Sequence, residues 1–163
     1  MSRPAIDTAP AATTELPRPR ALLLWRVLAM VYDALPVLAL WMLAGTLFTL
    51  AYTFSGHAQR ENIAPFSAWQ WLRWAVCWLV TGWYATASWR RGGQTLGMRP
   101  WRLKLESSDG APLRRTQLWL RFVVGTLSLL LGGLGFWWAW ADRQRLTWHD
   151  RASGTRVVRM PKR

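Results

Sequence analysis

The sequence predicts an all-α membrane protein: a small transmembrane helical bundle with three apolar segments and a short β-like hairpin on the cytoplasmic side. Three observations point there. The 163 residues are 52% hydrophobic yet carry a formal net charge of +13, a pairing foreign to ordinary soluble domains. The two extremes are segregated along the chain. Residues 27–54 hold one charge, Asp33, and residues 74–89 and 122–141 hold none. Runs near 20 residues match the hydrocarbon thickness at ~1.5 Å per helical residue. Finally, Trp and Tyr sit near the ends of these runs, where their rings suit the water–lipid interface. A nucleic-acid binder can be this basic, but its apolar residues would be spread over amphipathic elements, so no nucleic-acid partner is expected. A soluble bundle with buried core helices is the alternative, and run length and charge exclusion weigh against it.

Residues 1–20, rich in Ala, Pro and Thr, read as a disordered tail. The domain proper is expected over residues 21–160, with a basic end at 161–163. Segment one spans about 22–52. It is too long for a signal peptide, is interrupted by Arg26 and Asp33, and reads as a retained first helix. Segment two spans about 69–89 and contains Cys77, the only cysteine, which packs as a small apolar residue. Segment three spans about 118–141. Gly132, Gly133 and Gly135 lie in its middle and permit a sharp turn, so it is either a straight span or a re-entrant hairpin.

Charge gives direction. Arg3, Arg18, Arg20 and Arg26 precede segment one, and Arg90, Arg91, Arg99, Arg102, Lys104, Arg114 and Arg115 fill the second loop. The loop around His57–Ala64 has only Arg60. A cytoplasmic N-terminus and second loop follow, in a cell membrane of the bacterial inner-membrane kind. The tail adds Arg143, Arg145, Arg151, Arg156, Arg159, Lys162 and Arg163, which three straight spans would place outside. "WRLKLESSDGAPLR" reads as a hairpin around a Ser-Asp-Gly turn, and "GTRVVRM" as a further β-like run. If the two pair, both lie on one face, which favours the re-entrant hairpin and a cytoplasmic tail.

Two charges in segment one need partners. Arg26 lies near the cytoplasmic end and can snorkel to headgroups. Asp33 is two turns deeper, on nearly the same helix face but ~10 Å away along the axis. That is too far for a simple ion pair. An acid at this depth costs on the order of 3 kcal/mol and must face a partner helix or a wet cavity. Pro36 removes a backbone donor and frees the Tyr32 carbonyl. This is expected to open the helix beside the acid, making a place for a cation or proton. The alternative is an acid that only fixes helix packing.

Three stretches together resemble the RDD family of membrane proteins, named for one arginine and two aspartates. They are "RVLAMVYD", "GGQTLGMRPWRLKL" and "LTWHDRASGTRVV", and they cover roughly residues 20–160. The resemblance implies that Arg26 and Asp33 are the arginine and first aspartate, with Asp150 or Asp142 the second. It also implies a Gly-x-Thr-x-Gly loop at Gly93, Thr95 and Gly97. Beside Arg99 this reads as a headgroup-level loop; it lacks the Gly-Lys-Ser/Thr ending of a phosphate-binding P-loop. Asp150 can approach Arg26 and clasp the helix end. The family implies transport of poorly defined ligands, with ion–proton exchange for some members.

An enzyme is not expected. His57 and His149 are the only histidines, no Cys/His cluster has metal spacing, and no serine sits in a nucleophile elbow. No metal or cofactor is expected either. Two functions remain. One is a small transporter or cation/proton exchanger that uses Asp33 and assembles as a homo-oligomer. The other is a non-transporting accessory or scaffold bound to anionic lipid headgroups or a partner protein.

Overall fold

A computed structural model describes residues 22–56 and 63–161. The expected disorder of residues 1–20, most of the loop expected to face outward (57–62) and the basic pair Lys162 and Arg163 lie outside the described residues. The described residues are mostly helical, with one two-stranded sheet.

Helix α1 runs Leu23–Phe54, about 48 Å at the helical rise. Among the described residues it is the one helix that is alone long and apolar enough to cross a membrane. Its apolar surface is largely bare, since only Arg26 and Ala29 are buried. A core helix of a soluble protein would be covered by its own chain; this one is left for lipid to cover. Helix α2, Ala68–Gly92, starts where Ser67 Oγ accepts from the Gln70 N–H and ends at Gly93 in the left-handed region. It returns antiparallel to α1. Trp69 meets Phe48 and Tyr52 edge to face near one end, the Trp41 indole donates to Thr81 in the middle, and Tyr84 reaches Asp33 beyond it.

The third segment is two helices, α3 (Arg115–Leu130) and α4 (Leu134–Ala141), bent by 97°. Gly132 and Gly133 make the elbow with φ of 69° and 79°, values that side chains with a Cβ resist. Together α3 and α4 pass as a span only as this broken pair. Gly82 lets α2 close on α3, because a Cβ there would stand 2.6 Å from Trp119. A short helix α5, Trp148–Ser153, packs against α3.

The expected local hairpin does not form. Strand β1 (Leu103–Ser107) pairs antiparallel with β2 (Thr155–Arg159), with Leu105 opposite Val157. The expected second arm contains Pro112, which has no N–H for a ladder. Asp109 also takes Ser107 Oγ and the Ala111 N–H into a turn that leads directly to α3. The pairing places the second loop, the tail strand and the start of α1 at one end of the bundle. There Leu103, Leu105, Leu118, Val157, Met98 and Ala29 form the buried core.

Pro36 does not open α1 either: the helix continues through it. One missing hydrogen bond leaves the neighbouring turns of the ladder intact.

Candidate functional site

Arg26 does not snorkel. It turns inward from the first turns of α1 and is 7% exposed. Its Nη1 lies 2.5 Å from Asp150 Oδ2 and 3.3 Å from Thr147 Oγ1. The other oxygen, Asp150 Oδ1, lies 2.5 Å from Nη1 of Arg121 on α3. Arg121 also donates to Thr155 Oγ1 at 2.9 Å and stacks over the Trp89 ring. Asp150 is fully buried and still holds the start of α5. It accepts from the Thr147 N–H, while Thr147 Oγ1 accepts from the Asp150 N–H, a reciprocal capping box. Burial alone would raise the Asp150 carboxyl, but the flanking guanidiniums of Arg121 and Arg26 outweigh it and hold it well below the usual carboxylate range. One carboxylate thus ties α1, α3 and α5 together.

Asp33 has separate partners. Its oxygens accept from the Tyr84 hydroxyl at 2.8 Å, from the Gly97 N–H at 2.8 Å and from the Thr95 hydroxyl. Gly97 must be glycine for this contact, since a Cβ would lie 2.2 Å from the Ala29 carbonyl oxygen. Gly93 accepts from the Leu105 N–H through its carbonyl and so joins the loop to β1. The Gly93–Thr95–Gly97 stretch is therefore clamped onto α1, and Arg99 stands exposed beside it. Between α1, α2 and α3 lies a cavity of ≈ 220 Å³ lined by residues including Arg26, Asp33, Arg121 and His149.

The arrangement thus consists of two neighbouring clusters on α1, a buried one that joins Arg26 and Arg121 to Asp150 and a half-buried one around Asp33. The sequence profile of the RDD family matches residues 20–154. The chain belongs to the RDD family. No significant match to a curated protein or to a solved structure is found.

Within this RDD protein, Asp142 has a different place from Asp150. It accepts from the Leu146 N–H and pairs at 2.8 Å with Arg151, which is exposed. It does not meet Arg26. Pro36 lies one turn beyond Asp33 and takes no part in either cluster.

Four contributing residues escape the sequence reading. Arg121 stands at the edge of an apolar run, where it passes for one more loop charge. Tyr84 lies within segment two with no flanking charge to single it out. Thr155 carries no pattern of its own. Thr147 does carry a signal, because Thr-x-x-Asp is the spacing of a capping box.

His149 adds a pH dependence. Its ring is buried against Phe136. Burial first, then the nearby Arg121 charge, pushes its pKa down to about 3. The unfolded chain binds this proton near the ordinary value of 6.5, so stability falls as pH drops from about 6.5 towards 3. Asp150 contributes stability that is kept above the ordinary carboxylate pKa and lost only in stronger acid. The unfolding temperature is expected to fall between pH 7.5 and 5 in the native protein, and much less in His149→Leu. Equal slopes in the two would remove His149 as the cause.

Proposed function

We propose that this RDD protein is a multi-pass membrane protein that acts as a non-transporting accessory, holding anionic lipid headgroups against its basic face. In this reading the N-terminus, the second loop and the tail are cytoplasmic, and α3–α4 is a re-entrant element. The pairing of β1 with β2 supports this, because it keeps loop and tail on one side. The exposed Arg90, Arg91, Arg99, Arg114, Arg115 and Arg151 belong to the segments gathered at that end. Each well-placed cation adds ~1 kcal/mol of attraction to an anionic leaflet.

One observation carries the choice over exchange: the oxygens of Asp33 are directed at Tyr84, Thr95 and Gly97. A coupling acid must offer its oxygens to a moving ion, and these are committed to holding a loop on α1. The competing reading, a cation/proton exchanger in a homo-oligomer, draws on Asp33 lining the cavity.

Reconstitution into vesicles loaded with a pH-sensitive dye separates the two. With a sodium or potassium gradient imposed, neither the native protein nor Asp33→Asn is expected to move protons above the empty-vesicle rate. Cation-dependent flux that disappears in a folded Asp33→Asn protein would establish exchange instead.

A further inference from the structure

The clasp leaves polar atoms over. Arg26 Nε and His149 Nδ1 are buried without a hydrogen-bond partner among the described residues, and both residues line the ≈ 220 Å³ cavity. Buried polar groups of this kind call for a partner. The charge at this end is also unbalanced, with two guanidiniums sharing the single carboxylate of Asp150. Asp33 lines the cavity too, but its oxygens are already taken by three donors.

Away from that end the lining changes character. Along α1 it runs from Arg26 to Val37, and along α3 from Arg121 to Leu129, about 16 Å on α1 at the helical rise. The deeper hydroxyls, Thr81 and Thr126, are each bonded to an indole and to a backbone carbonyl. The deep end thus offers carbon and already-paired polar atoms, while the shallow end offers the unpaired Arg26 Nε–H donor and the unpaired His149 Nδ1. Helices α1 and α3 each pack on α2, and the cavity lined by all three is partly open.

We propose that this cavity holds one acyl chain of an anionic amphiphile, with its carboxylate or phosphate head at Arg26 and Arg121 and its chain running towards Val37 and Leu129. An apolar cavity of about 150 Å³ takes a benzene ring, so the space fits a stretch of one chain and not two. A chain would enter through the open part of the cavity. The site is separate from the exposed arginines and does not depend on their holding headgroups.

The test uses the full chain in vesicles with photoactivatable lipids that carry a diazirine on the chain. Three probes are compared: a fatty acid, a phosphatidylglycerol and a fatty alcohol of equal chain length. Crosslinked residues are mapped by mass spectrometry. The acid or the phosphatidylglycerol is expected to label Val37, Thr126 or Leu129 roughly tenfold more than the alcohol, a difference of ~1.4 kcal/mol. Whichever of the two labels identifies the source of the anion.

Gly125→Leu fills the cavity. A Cβ at Gly125 meets only the His149 ring, at 3.9 and 4.0 Å, so the helix accepts it. Labelling is expected to fall while unfolding of the variant stays at the native temperature or rises. Labelling by the alcohol equal to that by the acid, labelling by neither anion, or labelling unchanged in Gly125→Leu overturns the proposal. If Gly125→Leu unfolds early, competition by unlabelled fatty acid on the native protein takes its place: displacement of the probe is expected, and failure to displace it overturns the proposal.

Discussion

Asp150→Asn is expected to destabilise the protein by about 3–5 kcal/mol, the cost of removing one member of a buried ion cluster. That is a large fraction of the roughly 5–15 kcal/mol by which domains are stable. The substitution keeps the shape of the side chain and much of its capping role but deletes the charge. Arg26 and Arg121, each 7% exposed at the side chain, are then left without their shared counter-charge. Intrinsic tryptophan fluorescence during thermal unfolding in detergent measures the loss. Asp142→Asn is the matched control. Its partner Arg151 is 58% exposed, so its pair is worth under about 1 kcal/mol. Equal losses in the two variants would show that the three-helix clasp does not carry stability.

Gly97→Ala is expected to be the second most damaging change, although it adds a single methyl group. The new Cβ would stand 2.2 Å from the Ala29 carbonyl oxygen and 2.7 Å from both Cγ and the backbone N of Asp33. Backbone cannot yield as a flexible side chain does, so the loop must lift off α1. Overpacking of this kind costs about 1–3 kcal/mol. Lifting the loop also strips Asp33 of its Gly97 and Thr95 donors, and an unsatisfied group adds about 1–3 kcal/mol. Gly92→Ala, five residues earlier, meets nothing within 4 Å among the described residues and is expected to be neutral or slightly stabilising. Protease cleavage within the 93–102 loop gives a local readout: accelerated cutting in Gly97→Ala and none in Gly92→Ala. Equal resistance in both would mean that the loop is held by something other than this contact.

Much of this architecture is legible in residue order because lipid imposes simple rules. Charge exclusion over residues 27–54 marks α1, and three glycines within residues 132–135 mark the elbow. The depth of Asp33 announces that it needs partners. The partners themselves are harder to read, since they come from 51 to 64 residues away and leave no local period. Alternation in residues 101–113 fits a nearby hairpin equally well. The choice of β2 depends on Val157 meeting Leu105 across the chain, which no local window contains. Arg121 is hidden for a related reason: a charge at the margin of an apolar run looks the same whether it faces solvent or a buried aspartate. Pro36 misleads in the opposite direction, because a residue that breaks helices in water can be carried by a long one in an apolar setting.

The clasp also sets a clock. Arg26 and Asp150 are separated by 124 residues, and a ribosome adds about 5–20 residues per second. Helix α1 therefore exists for roughly 6–25 s before its counter-charge has been made. During that interval Arg26 is an unmatched cation at the edge of a nascent span, held only by the headgroups it can reach. Folding of this bundle cannot close from its first helix forward. It closes when α5 and β2 have been made, so a segment 124 residues downstream decides whether the first helix is locked in place.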